Sequence, residues 1–257
     1  MGLVTDAIVL HAFDYLESSR ILRLVTRDGG VRSALARGAR RSTRRFGTAL
    51  DLFAEGTAEL HVKHGRELDT LGGFDVTRAR PLIAMSLERF SGASAIAELV
   101  LRFARDAADP GLFEAVAATL DHIASVPAER AREATLAGAW RILGELGVAP
   151  TIDQCAECDA TIAAESPAMF SHPAGGVLCD TCAHLRRSGR TLPADARDAL
   201  RAWRTGDAFT PLDARAGRAH QRLLREFVRE HLSDDRPMRA FDVWERETLT
   251  ASPGVVE

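Results

Sequence analysis

The sequence predicts an α+β protein of several domains: a small five-stranded β-barrel, then a mainly α-helical domain interrupted by a four-cysteine module. Three observations carry this. Apolar residues alternate with period two up to about residue 80, they recur with a period near 3.6 from Pro81 onward, and all four cysteines of the 257-residue chain fall between Cys155 and Cys182. The boundaries that follow are 1–80 for the barrel, 81–150 and 188–247 for the two parts of the helical domain, 151–187 for the cysteine module and 248–257 for a flexible tail.

Five short β-branched and aliphatic runs make up the first 80 residues. Val4 to Leu10 is the first. Ile21 to Thr26 and Val31 to Ala36 flank Asp28-Gly29-Gly30, where glycine supplies the positive φ of a tight hairpin turn. Ala49 to Val62 is a longer run in which Gly56 marks a bulge or bend. The His64-Gly65-Arg66 turn then leads into Glu67 to Val76. Five strands of this length suit a small closed barrel, for which the OB-fold is the commonest solution; periodicity alone also permits an SH3-like barrel.

Beyond Arg80-Pro81 the pattern is helical. Leu82, Ile83, Leu87 and Phe90, followed by Ile96, Leu99, Val100 and Phe103, suit one broken helix or two consecutive ones, which Asp109-Pro110-Gly111 stops. Leu112, Phe113, Val116, Leu120 and Ile123 form the stripe of the next helix. Leu136, Trp140, Leu143 and Leu146 form another, ended by Gly147 and Pro150. Helical patterning resumes over Asp195 to Thr205 and Ala214 to Leu232. These stripes read as core.

The cysteines occur as Cys155-Ala156-Glu157-Cys158 and Cys179-Asp180-Thr181-Cys182, with 20 residues between the pairs. A C-x-x-C turn aims two thiolates at one ion, and two such knuckles complete a tetrahedral shell, so the spacing predicts one structural Zn2+ per chain on Cys155, Cys158, Cys179 and Cys182. A closed shell leaves no position for a reactive water. Turn-rich Ser166-Pro167 and His172 to Gly176 separate two short runs, Ala168 to Ser171 and Val177-Leu178, that suit a hairpin. Two disulfides, a redox dithiol or an iron–sulfur cluster are the competing uses of four cysteines. His172 and His184 read as bystanders.

Net charge is −3 but unevenly spread: residues 1–80 hold 13 Lys+Arg against 10 Asp+Glu, and the remainder 20 against 26. No acidic residue occurs from Val31 to Leu50, where Arg32, Arg37, Arg40, Arg41, Arg44 and Arg45 crowd together. Guanidinium groups this close repel one another, and entering phosphates relieve the repulsion. These six arginines are the candidate nucleic-acid-binding residues, Ser42 and Thr43 add hydroxyl donors, and Phe46 is a candidate for stacking a base. A solvated loop is the bland alternative. Arg218, Arg222, Arg225 and Arg229 form a second basic stripe at helical spacing, read first as solvated surface.

The longest apolar stretch, Ala93 to Phe103, is broken by Glu98 and Arg102, well short of the roughly 20 residues that span a bilayer, so no membrane association is expected. The first ten residues do not follow the pattern of a secretory signal, and a cytoplasmic location is expected. His11, His61, His64, Asp51 and Glu55 are scattered over predicted strands with no nucleophile motif, so no enzyme activity is expected.

The order of these parts resembles the RecO family of bacterial recombination mediators. The local matches are Arg37-Gly38-Ala39-Arg40-Arg41 followed by Arg44, Phe46 and Gly47; Leu143-Gly144-Glu145-Leu146-Gly147 before the first knuckle; and Arg236-Pro237-Met238-Arg239 after the last long helix. The resemblance implies DNA repair by strand handling: binding single- and double-stranded DNA, annealing complementary strands, and working with RecR to load RecA. In some members it also implies contact with single-strand-binding protein. Within it, Arg37, Arg40, Arg41, Arg44 and Arg45 match the basic barrel loop, and the four cysteines match the zinc site. The sequence also permits two other readings: an RNA-directed OB-fold protein with a zinc knuckle, and a zinc-stabilised protein-interaction scaffold.

Overall fold

A computed structural model describes residues 2–39, 50–62, 65, 67–186, 189–205, 212–232 and 236–250, with backbone alone at 247–250. The chain forms two compact units, Met1–Ala131 and Arg132–Glu257.

The first unit begins with β1 (Gly2–Tyr15), β2 (Ser19–Thr26), β3 (Gly30–Ala36), β4 (Glu55–His61) and β5 (Asp69–Arg78). They close into a barrel in the order β1-β2-β3-β5-β4, the OB-fold arrangement; every pairing is antiparallel except β3 with β5. Ala7, Val9, Leu22, Leu24, Ala34, Ala36, Ala58, Leu60, Leu71 and Phe74 fill its interior. The β2–β3 hairpin pairs Thr26 with Gly30 around the Asp28-Gly29 turn. Gly56 sits at a register irregularity between β4 and β5, where a Cβ would lie 2.3 Å from the Asp75 carbonyl oxygen.

The fourth strand starts later than the apolar run suggests. Residues 50–54 are not strand, and Phe53 has a left-handed φ of 67°. Its N–H donates to the Val9 carbonyl at 2.7 Å, while the Val9 N–H donates to Ala54 at 2.9 Å. These bonds serve Val9 where β1 bulges: Val9 pairs with Leu24 but His11 with Arg23, leaving Leu10 as the extra residue. The bulge reverses parity, since Val9 faces the interior before it and Ala12 packs on the same core after it. His11, Phe13 and Tyr15 therefore point outward, and all three are exposed.

Three helices complete this unit: α1 (Pro81–Ala84), α2 (Leu87–Phe103) and α3 (Pro110–Ser125). Helix α2 packs on β1 and β2, so Ile8 and Leu10 are buried although they face away from the barrel interior. Asp109-Pro110 opens α3 as well as ending the preceding segment: the Asp109 side chain accepts the Leu112 N–H at 2.9 Å, and proline occupies the first turn, where its missing N–H costs nothing. Gly30 has φ of 68° and lies against the Ala107 backbone, with 2.4 Å between its notional Cβ and the carbonyl oxygen, so no side chain fits.

The second unit holds α4 (Ala131–Glu145), the cysteine segment with β6 (Ala168–Ser171) and β7 (Gly176–Leu178), α5 (Asp180–Arg186), β8 (Arg190–Leu192), α6 (Ala194–Thr205), α7 (Ala214–Leu232) and α8 (Arg239–Thr250). The expected hairpin forms, and β8 adds a third strand in the order β7-β6-β8. Phe170 of β6 meets Phe227 of α7 at 6.1 Å between centroids, and Phe227 meets Trp140 of α4 at 5.3 Å, so a chain of rings joins the cysteine module to the helices. The tail expected at 248–257 overlaps the last helix at 248–250, and 251–257 lie outside the described residues.

Candidate nucleic-acid interface and metal centre

The four cysteine sulfurs come from two differently built knuckles. Cys155 and Cys158 lie on a loop in which the Cys155 N–H donates to Ala160 at 2.8 Å, the Asp159 N–H donates to Cys155 at 3.0 Å, and Asp159 takes a left-handed φ of 58°. Cys179 follows β7, and Cys182 stands on the first turn of α5. The Ala156 N–H donates to Val177 at 2.8 Å, fastening the first knuckle to the strand that leads into the second. A salt bridge between Arg186 and Glu157 adds a charged link between them.

All four sulfurs lie within 4.8 Å of one another, and Cys158 Sγ is 3.7 Å from Cys179 Sγ. Four sulfurs each about 2.3 Å from a tetrahedral centre stand about 3.8 Å apart, so the spacing suits a metal shell. It is far beyond a disulfide bond of about 2.05 Å, and the cysteines are free thiols. Burial raises the Cys155 thiol pKa, but N–H groups of Cys179, Glu157 and Cys158 aimed at its sulfur outweigh burial and bring it down to about 6. The sulfurs of Cys179 and Cys158, with burial, push Cys182 up to about 12. The cluster thus carries one ready thiolate, while Cys158 and Cys182, both raised by neighbouring sulfurs, resist ionisation until a cation offsets the accumulating charge.

Neither nearby histidine joins this cluster among the described residues. His172 Nε2 donates to the Leu223 carbonyl at 3.3 Å and lies 3.6 Å from Glu226, and burial lowers its pKa. Its own carbonyl accepts from His231 Nε2 at 2.8 Å.

A buried guanidinium supports the module from α6. Arg197 is fully enclosed and donates to the carbonyls of Ile152 (2.9 Å), Ala163 (2.8 Å) and Ser166 (2.7 Å). Beside it Arg201 reaches Asp153 at 2.8 Å. In the first unit Arg80 has the same character, donating to Phe53 O (2.9 Å), Glu55 (2.6 Å) and Asp121 (2.7 Å). Neither is marked in the sequence, because an arginine is ordinarily solvated. The engagement of Glu55 by Arg80 also commits one member of the scattered acid–base set.

Of the candidate nucleic-acid-binding residues, Arg32 and Arg37 are described. Arg40, Arg41, Arg44 and Arg45, with Phe46, lie outside the described residues. Arg32 shares the parity of the inward Ala34 and Ala36; its Nε donates to Gly29 O at 2.8 Å, and its guanidinium lies 4.0 Å from Asp69. Arg37 is exposed just past the end of β3, on the parity of the outward Ser33 and Leu35. Gly38 turns the chain at φ of 72°, and Ala39 packs back on the barrel core, so the root of the arginine segment is anchored with Arg37 outside.

In the other basic stripe, Arg225 donates to Glu245 at 2.7 Å, while Arg222 and Arg229 are exposed and Arg218 is half-buried. Among the described residues no helix is long and apolar enough to cross a membrane.

Comparison with known proteins agrees with this architecture. The family model described as "Recombination protein O N terminal" matches residues 1–80, and "Recombination protein O C terminal" matches residues 85–240. The chain is 37% identical over 242 residues to the DNA repair protein RecO of Anaeromyxobacter sp. (strain K), covering 91% of this chain and 93% of that one. It is 38% identical over 195 residues to the DNA repair protein RecO of Geobacter sulfurreducens, covering 74% and 75%. With that of Gloeobacter violaceus it shares 31% identity over 228 residues, covering 87% and 85%.

Proposed function

Because the chain belongs to the RecO family of DNA repair proteins, we propose that it acts as a recombination mediator that binds single- and double-stranded DNA, anneals complementary strands and assists RecA loading with RecR. The observation that carries this reading is the exposed Arg37 at the anchored root of an acid-free segment bearing Arg40, Arg41, Arg44 and Arg45.

The mechanism is electrostatic. Two approaching strands repel through their phosphates, and the guanidinium groups of this segment neutralise part of that charge and release condensed counterions. Held close, the strands nucleate base pairs, whose formation supplies the driving force. No covalent step is required of the protein, and residues 1–80 serve as the nucleic-acid-binding domain. Single-strand-binding protein is the further candidate partner, and the work takes place in the cytoplasm, at the nucleoid when DNA is bound.

The four thiols fit one Zn2+, which Cys155, Cys158, Cys179 and Cys182 would hold as a structural crosslink in a segment with little apolar core of its own. When bound, zinc supplies folding energy and no chemistry. The residues around it work mechanically: Arg197 gathers the carbonyls beside the first knuckle, and Phe170 seats the module on α7.

Affinities for single-stranded DNA, duplex DNA and structured RNA, measured in one buffer together with strand annealing, test the reading. It expects binding to both DNA forms that falls steeply with salt, and faster annealing. A strong preference for RNA, or no effect on annealing, overturns it.

A further inference from the structure

We propose that the end of β1 is a base-stacking platform, on which His11, Phe13 and Tyr15 receive the unpaired bases of a single strand whose backbone phosphate is held by the exposed Arg37 just past β3. The proposal rests on the DNA-binding reading above and adds to it a site for bases in place of phosphates.

The bulge at Leu10 creates this surface. Without it, residues of odd number along β1 would continue to face the interior, as Ala7 and Val9 do; after it, His11, Phe13 and Tyr15 all face out. Phe13 is 44% exposed and Tyr15 41%, and His11 and Phe13 are ring neighbours at 5.8 Å between centroids. Among the described residues the only other exposed ring of Phe, Tyr or Trp is that of Phe90, and the three tryptophans are buried. An isolated exposed aromatic needs no explanation, whereas successive outward positions of one strand each bearing a ring form a surface.

The partner follows from what lies beside the rings. Register places Arg23 opposite His11 and Ile21 opposite Phe13, with Leu35 of β3 opposite Ile21, so this outward face runs from the aromatic residues across β2 to β3. Arg37, the next residue of that parity just past the end of β3, is exposed, with no acidic partner among the described residues. The chain then runs to Leu50 without an acidic residue. An apolar protein partner would have no use for such charge, but a single strand offers π faces and anionic phosphates together. Two residues of strand advance about 6.8 Å, a spacing that lets consecutive splayed bases meet consecutive rings. Duplex DNA hides its base faces, so the platform favours single strands and Arg37 serves both forms.

Tyr15 is the sole tyrosine of the chain, so full-length protein made with fluorotyrosine gives a single fluorine NMR line from this site. Adding short oligothymidylate should move that line, and adding a duplex of the same length should not. Phe13→Ala and Tyr15→Ala should each lower single-strand affinity on the order of 10-fold, with duplex affinity and the dependence on salt unchanged, because stacking releases no counterions. Phe13→Leu, which keeps apolar bulk without a π face, should behave like Phe13→Ala and guards against a folding defect. A line that stays still at saturating oligothymidylate, or variants that bind single strands normally or lose both forms equally, overturns the platform and leaves the DNA-binding reading standing. Failure of the unmodified protein to bind any DNA overturns both.

Discussion

Arg197 donates to the carbonyl oxygen of Ile152 from two guanidinium nitrogens, at 2.9 and 3.3 Å, three residues before the first cysteine of the metal cluster. The same side chain reaches Ala163 and Ser166, so a single fully buried arginine fixes both ends of the first knuckle's loop. Burial lowers its pKa, but the carbonyl dipoles around it replace the lost water.

Removing that guanidinium leaves the Ile152 carbonyl without its partner. Arg197→Met should cost about 2–4 kcal/mol of unfolding free energy, read by urea denaturation, and should weaken metal retention against a chelator. Arg197→Lys should fall in between, since one ammonium cannot replace a planar fork that serves four carbonyls. Unchanged stability in Arg197→Met would remove the arginine from the support of the module.

The metal cluster has a defined response to acid. The folded value of Cys155, about 6 against an ordinary 9, means that folding favours its thiolate; this contribution is complete above pH 9 and is lost as pH falls through about 6. Cys182, at about 12, works in the opposite sense, so its proton must leave when a cation binds. Zinc uptake near neutral pH should release protons, and zinc affinity should fall as the buffer is taken from about pH 8 to about pH 6. Protein purified without added metal should hold near one zinc per chain. Cys158→Ser should reduce that content and lower the melting temperature more than it lowers DNA affinity.

His220 gives the second unit a further acid sensitivity. It is 3% exposed on α7, its Nδ1 finds no hydrogen-bond partner among the described residues, and its ring meets the Trp203 ring at 4.7 Å. Burial brings its pKa down to about 4, with Asp195 opposing the shift. A histidine with a depressed folded value is charged more readily in the unfolded chain, so the stability it supports is complete above about pH 6.5 and is lost as pH falls through 4. Denaturation midpoints should decline over that window by an amount equivalent to roughly 3 kcal/mol at most, and His220→Leu should flatten the decline. An equally steep decline in the variant would assign the acid sensitivity to other groups.

Much of this architecture is legible in the residues. Alternation over Ile21–Thr26 and Val31–Ala36 around Asp28-Gly29 specifies a hairpin, and two C-x-x-C pairs specify a metal-competent cluster, because each rests on local spacing alone. Features that depend on distant partners are hidden. The parity reversal at Leu10 is set by backbone bonds from Val9 to Phe53 and Ala54, more than forty residues away, so the residues alone assign no face to His11, Phe13 and Tyr15. Arg80 and Arg197 carry no mark distinguishing them from surface arginines, because only the surrounding carbonyls and carboxylates make burial tolerable. The contacts of Arg32 with Gly29 and Asp69 are not legible either, because they depend on the turn before β3 and on the start of β5.

In the proposed function the arginine segment after β3 grips the sugar–phosphate backbone. Its most direct test is the affinity of Arg40→Glu/Arg41→Glu/Arg44→Glu protein for single- and double-stranded DNA across a salt series, with folding checked by melting temperature and zinc content. Binding to both forms should weaken, annealing should slow, and the salt slope should become shallower by roughly 0.7 for each single-strand phosphate that is no longer neutralised. A folded variant with unchanged affinity, slope and annealing rate would contradict it.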